Sequence, residues 1–267
     1  MQQDIEAVKA FYDENPQKEW ERFDTHPSEF FITTKMMERL IRPGEHILDI
    51  GGGPGRYSIY FAQRGCDVTL LDLSEGNAAF AREKAAQMEL PLKTFVGDAR
   101  EADTLIEGEF DHVFLMGPLY HLLEEADRVR AVNEAIAKLK PGGKLYASFI
   151  LLFGGLVFAM KHAVGALIDP AEEKYIDAIL HRRPFCGDGF TKVYSAWPEE
   201  IAAFMEQFSL KKLHLFGQEG ILSPGEANIF AQPQEVVDKW VEVAVALCEH
   251  KEFFSFAEHL MYIGEKQ

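Results

Sequence analysis

The chain is poor in cysteine and in positive charge, and each shortage removes a class of function. It has three cysteines in 267 residues, Cys66, Cys186 and Cys248. They are too far apart to form a C-x-x-C pair for zinc or a redox dithiol, so no metal is expected and the thiols read as those of a reduced, cytoplasmic protein. Lys and Arg number 27 against 43 Asp and Glu, a formal net charge of -16. A field of that sign repels a phosphate backbone, and no basic run offsets it, so a nucleic-acid partner is disfavoured. Met1-Gln2-Gln3-Asp4 lacks the basic and apolar regions of a signal peptide. The one uncharged apolar stretch, Leu145 to Met160, falls short of the ~20 residues that span a bilayer, and Gly154-Gly155 interrupts it. It reads as a buried fifth strand, a turn and a helix, with no membrane association. Internal repeats and low-complexity linkers are also missing, while 47% hydrophobic residues suffice for a sizeable core.

What the chain does have is the stretch from His46 to Ser58, a short apolar run leading into a glycine bend and then helical spacing from Arg56. Ile47, Leu48 and Ile50 predict a buried strand. Gly51, Gly53 and Gly55 put no side chain between the turn and a ligand, so the backbone can approach one closely. A dinucleotide fingerprint, G-x-G-x-x-G, would need its third glycine where Arg56 stands. The spacing is instead D-x-G-x-G-x-G, from Asp49 to Gly55.

That spacing resembles the first motif of class I S-adenosylmethionine-dependent methyltransferases, and further motifs follow in the family's order. Cys66 to Asp72 reads as a second strand ending in an acid, Leu92 to Val96 as a third strand before Gly97-Asp98-Ala99, and Phe110 to Met116 as a fourth strand breaking at Gly117-Pro118-Leu119-Tyr120-His121. Lys140-Pro141-Gly142-Gly143-Lys144 resembles the turn before the fifth strand. Strands and helices alternating between 46 and 150 predict an α/β fold, a parallel sheet with helices on both faces. The resemblance implies a seven-stranded, mostly parallel Rossmann-like sheet of order 3-2-1-4-5-7-6, with Leu210 to Phe216 sixth and His259 to Ile263 an antiparallel seventh. One domain is expected. It comprises an N-terminal helical lid (1–43), a cofactor-binding core (44–150), a helical cap insertion (151–190) and a C-terminal part (191–267) holding a helix from Pro233 to Leu247. In the lid, Ile5, Val8 and Phe11-Tyr12 mark one helix and Ser28 opens another, with Trp20 and Phe23 between.

By the same resemblance the cofactor is S-adenosylmethionine, leaving as S-adenosylhomocysteine. Gly51 and Gly53 then border its methionine part with Asp49 near the ammonium group, and Gly55 completes the hinge. Asp72 takes the ribose hydroxyls, Asp98 the adenine amino group and the Ala99 backbone a ring nitrogen, while Leu73 packs on the ring. Met116 ends the fourth strand at the carboxyl edge, where ligands bind in open α/β folds. Tyr120 and His121 follow as candidate catalytic residues, His121 because an unperturbed imidazole titrates near neutral pH and can take a proton. Arg56 has three readings, as partner of the cofactor carboxylate, of an acidic substrate or of the lid. Tyr12, Trp20 and Phe23 either reach the pocket or pack on the sheet, and His162, His181 and Tyr194 could face an acceptor beneath the cap. The Asn/Asp-Pro-Pro-Tyr sequence of enzymes that methylate adenine or glutamine amino groups is absent. A small-molecule acceptor on a monomer or homodimer is the expectation. An RNA or protein methyltransferase, or a regulator that binds the cofactor without transfer, remain as alternatives.

Overall fold

In the computed structural model, which describes residues 2–267, Ile47, Leu48 and Ile50 are fully buried. The strand that carries them, β1 (His46–Ile50), lies between two parallel neighbours, β2 (Asp67–Asp72) and β4 (Phe110–Leu115). β3 (Leu92–Val96) flanks β2, and β5 (Leu139–Leu151) flanks β4, both in parallel. Between them sit α4 (Arg56–Ala62), α5 (Glu75–Gln87), α6 (Ala102–Leu105) and α7 (Glu125–Ala137). Ser74 caps α5 by accepting the Asn77 N–H at 3.0 Å. The Lys140-Pro141-Gly142-Gly143 turn is absorbed as a register shift of β5 against β4.

The far side of the sheet follows the expected order. β9 (His259–Lys266) runs antiparallel along β5, and β8 (Leu210–Gly217) antiparallel along β9. Two strands were not anticipated, β6 (Phe185–Asp188) and β7 (Lys192–Ala196), a hairpin within a nine-stranded sheet. Ile150 pairs with Ser195 on one side and His259 on the other, so β7 occupies the flank of β5 that β4 stops short of. The segment expected as a turn-rich return is therefore partly a strand, with Gly187 carried in the ladder to β7 and Pro184 and Gly189 flanking it.

The lid holds three helices where two were expected: α1 (Gln2–Glu14), α2 (Pro16–Thr25) and α3 (Pro27–Met37). Pro16 and Pro27 each open a helix, the position where a missing N–H and a fixed φ are tolerated best, and α2 carries Trp20 and Phe23. After β5 the chain enters α8 (Leu152–His162) with no intervening turn, then α9 (Glu173–Leu180); α10 (Pro198–Glu206) precedes β8, and α11 (Glu226–Phe230) and α12 (Gln234–Leu247) lie between β8 and β9.

Alternation along β1 divides the core. Leu48 and Ile50 join Ala131, Val132 and Met205 of α7 and α10 on one face. Ile47 joins Ile32 and Met36 of α3, Phe61 of α4 and Val241 of α12 on the other. No helix among the described residues is long and apolar enough to cross a membrane.

Candidate functional site

Strand register places the key residues in one row. Ile50 is opposite both Leu71 and Leu115, and Asp72 is opposite Val96. The chain therefore leaves four neighbouring strands at one edge, through Gly51, Asp72, Gly97 and Met116. A cavity opens along that row, roofed by α1, α2 and the start of α3. Gly51 has φ +74°, and a Cβ on it would lie 2.4 Å from Pro118 Cδ. Gly53 has φ +56° and open space where its Cβ would be, with Asn77 the nearest group at 3.9 Å. Both line the cavity, as do Asp72, Leu73, Asp98, Ala99 and Met116.

The Asp72 carboxylate is fixed by two amides, Gly53 N–H at 2.7 Å and Ser74 N–H at 2.8 Å. Burial outweighs them and pushes its pKa up to about 6. Two oxygens offer about four acceptor sites, so capacity remains for a ligand's hydroxyls. Beside it Asn77, which sequence reasoning missed, lines the cavity with a buried Oδ1 that has no partner. Asp98 accepts from Arg100 N–H at 2.8 Å and Arg100 Nη2 at 2.6 Å. Although burial opposes it, this pairing holds Asp98 below the ordinary carboxylate range.

Two residues of the first motif are not brought to the cavity surface. Asp49 is buried beneath the bend and accepts from Ser58 Oγ at 2.7 Å, with its pKa raised by burial to about 7. Gly55 packs against Ala81 of α5, where a Cβ would come within 2.9 Å. Arg56 does line the cavity, but it is occupied by the lid. Its guanidinium lies 4.6 Å from the Trp20 ring centre and 3.2 Å from Asp24 Oδ1.

His121 departs from the expectation of an ordinary imidazole. Its Nδ1 faces the Lys192 carbonyl of β7 at 2.8 Å. A carbonyl only accepts, so Nδ1 carries the proton and Nε2 accepts from the Tyr12 hydroxyl at 2.9 Å. Burial lowers the pKa to about 4, with the Lys192 carbonyl opposing that shift. Tyr120 stacks edge-on to His121 at 4.8 Å, and all three rings line the cavity.

The opposite end of the cavity was not legible in advance. Arg22 of α2 bonds Glu29 of α3 through both terminal nitrogens and Glu19 through Nε at 2.7 Å. Ser148 of β5 donates to Gln218, whose amide donates to Thr33 Oγ1 at 3.2 Å. Behind them Glu219 meets His259 Nδ1 at 2.6 Å, with Glu29 3.9 Å from the same nitrogen. Glu29, Glu219 and His259 are close enough to share a cation, yet Arg22 and the His259 ring already serve both carboxylates. Burial alone would lower the His259 pKa, but the two carboxylates lift it to about 9. The bonus this pairing adds to stability is complete below the unfolded-state value near 6.5 and is lost as pH rises through about 9. Urea titrations of His259→Gln beside the parent should therefore show a stability gap that narrows between pH 6.5 and 9.5, by on the order of 3 kcal/mol.

No residue from 151 to 190 lines the cavity. Of the cap and hairpin candidates, His162 packs against His26 at 5.3 Å, exposed His181 pairs with Asp177, and Tyr194 lies under the Arg128 guanidinium at 3.7 Å. The wall expected from the cap is supplied by the lid.

A sheet in this order, with a glycine bend and an acid at adjacent strand ends, defines the class I methyltransferase fold. Residues 47–143, the stretch that holds the glycine bend and the acid-ended second strand, match the family model described as Methyltransferase domain. The ubiquinone biosynthesis O-methyltransferase of Pseudomonas aeruginosa is 33% identical over 113 residues, 42% of this chain and 47% of that protein. A glycine/sarcosine N-methyltransferase of Parasynechococcus marenigrum is 37% identical over 100 residues, 37% of this chain and 36% of that protein. The chain thus spans half or less of the length of these curated relatives. Among solved structures, the 1,6-didemethyltoxoflavin-N1-methyltransferase of Burkholderia thailandensis, with its acceptor and S-adenosylhomocysteine bound, superposes with a TM-score of 0.61 over 98% of this chain and 88% of that one. Identity there is 15%, a likeness of fold.

Proposed function

We propose that the chain transfers the methyl group of S-adenosylmethionine to a small molecule enclosed between the sheet edge and the N-terminal lid. The observation that carries this is the pairing of an open glycine bend with a fixed carboxylate one strand away, beside the unpartnered Asn77 Oδ1. Gly51 and Gly53 would receive the amino-acid part, Asp72 and Asn77 the sugar, and Leu73, Asp98 and Ala99 the base. When bound, the cofactor supplies an activated methyl on a sulfonium. The protein's part is then to align an acceptor with it and exclude water, effects that together reach roughly 7 to 11 kcal/mol in well-oriented systems. A lid made of α1 to α3 suits that task. The relatives are named for small acceptors, which supports an acceptor of that size, and three free thiols accord with a cytoplasmic site of action.

His121 positions Tyr12 in this scheme, since an imidazole that titrates near pH 4 cannot store a proton at neutrality. Single-turnover transfer should be flat between pH 6.5 and 8.5. A limb near pH 6.5 that disappears in His121→Gln would restore His121 as general base. The overall reading is tested by offering labelled cofactor with a metabolite extract and, separately, with total RNA and protein. Label should enter the low-molecular-weight pool. Tight cofactor binding without transfer to any pool would make the chain a cofactor-binding regulator.

A further inference from the structure

Among the described residues only three buried side-chain polar atoms have no hydrogen-bond partner, the Tyr57 hydroxyl, Asn77 Oδ1 and Trp197 Nε1. Asn77 belongs to the cofactor end described above, and Trp197 is not part of the cavity wall. Tyr57 is different, because it lines the opposite end and its hydroxyl sits in the field of Glu29, Arg22 and Glu219.

We propose that this end is the acceptor subsite and that it takes an uncharged aromatic molecule, oriented by a hydrogen bond from Tyr57 to an oxygen or ring nitrogen of the ligand. The inference rests on the methyl-transfer reading and adds the chemistry of the acceptor to it.

Three observations carry it. The Tyr57 ring is wedged against Phe23 at 5.4 Å and Phe30 at 5.2 Å, so the hydroxyl cannot swing to another partner. Burial, reinforced by the Glu29 charge, raises its pKa far above the ordinary phenol value. The group is therefore always a donor, and a buried donor left unmade is costly, so a ligand acceptor there gains affinity. The nearby Thr33 hydroxyl, which accepts from Gln218, offsets part of that shift, but no hydrogen bond of full geometry joins it to Tyr57.

Shape is the second observation. Tyr12, Phe23, Tyr120 and His121 all line the cavity, with Tyr12 and Tyr120 each held edge-on to His121, at 5.4 Å and 4.8 Å. Rings held in that way favour a planar occupant.

Charge is the third. Arg22 is bonded to both Glu29 and Glu19, so the guanidinium at this end already serves two carboxylates and both of them are already held by it. An ionised acceptor would lose hydration and have to compete for groups already paired with one another. A neutral ring loses little on entry and satisfies Tyr57.

Catechol, 3,4-dihydroxybenzoate and dopamine form a matched neutral, anionic and cationic series. Each is titrated calorimetrically into the full chain saturated with S-adenosylhomocysteine, and into Tyr57→Phe, which deletes one unpartnered oxygen. Catechol should bind at least tenfold more tightly than either charged analogue. Tyr57→Phe should weaken catechol about tenfold while leaving the S-adenosylhomocysteine affinity within twofold of the parent. Equal catechol affinity in the two proteins, preference for a charged analogue, or no catechol binding overturns the assignment. Failure of S-adenosylhomocysteine itself to bind would count against the methyl-transfer reading instead, and the catechol titration repeated without it would still report on Tyr57.

Discussion

Replacing Asp72 with asparagine should reduce the affinity for S-adenosylhomocysteine by about a hundredfold or more. Two ligand hydroxyls donating to a carboxylate form charge-assisted bonds, each worth roughly 1.5 to 3 kcal/mol. Asparagine keeps the shape but withdraws the charge, and it turns one oxygen into an amide that cannot accept from Gly53 N–H or Ser74 N–H. The parent protein offers a second handle on the same group. Because burial places Asp72 near pH 6, its charge is complete at pH 7.5 and is lost as pH falls through 6, and affinity should fall with it. Calorimetry at pH 7.5 and pH 5 on both proteins checks this. Equal affinity in parent and variant at pH 7.5 would remove the sugar from Asp72.

The second large effect is expected at Gly51, where substitution by alanine should abolish ligand binding and destabilise the protein by more than about 2 kcal/mol. Two costs add there: a φ of +74° that an L side chain rarely adopts, and a Cβ 2.4 Å from a proline ring that cannot rotate away. Relief requires Pro118 to retreat, and Tyr120 and His121 lie within the same short turn of chain. Thermal melting combined with S-adenosylhomocysteine titration separates the two losses. Gly53→Ala provides the contrast, since its added methyl meets nothing closer than Asn77 at 3.9 Å. It should retain most of the stability and lose mainly affinity. Similar losses of stability in the two variants would contradict the clash with Pro118.

The half of the candidate site proposed for the cofactor was legible as a cluster because it is built from strand ends. Buried parallel strands are continuous apolar runs, their carboxyl ends are marked by glycine or acid, and register then puts Gly51, Asp72 and Met116 side by side. Local pattern and spatial position coincide there. They do not coincide for Arg22, Glu29, Tyr57, Ser148 and Gln218, which come from four distant segments and acquire meaning only after the lid folds back. Glu29 in particular looks like an ordinary acid in the first turn of a helix. His121 shows a different failure. Its place after β4 follows from the strand pattern, but burial lowers its proton affinity, and the partners that bury and orient it, the Lys192 carbonyl and Tyr12, lie 71 and 109 residues away. Likewise, the β6–β7 hairpin was hidden because Pro184, Gly187 and Gly189 read as turn residues, while the short ladder that makes Phe185–Asp188 a strand is visible only in space.

The contacts that seat the lid also set an order of events during synthesis. Ser28 donates to Glu226 at 2.5 Å, 198 positions later, and α3 buries its apolar face against α12. At roughly 5 to 20 residues per second, a ribosome needs on the order of 10 to 40 s to deliver that partner. Throughout that interval Ile32, Met36 and Met37 have the early strands and α4 to pack on but lack the α12 side of their cluster, so the emerging chain carries a half-covered greasy helix ahead of a sheet that is already able to form. A holdase that engages the nascent first forty residues is the kind of assistance this connectivity calls for.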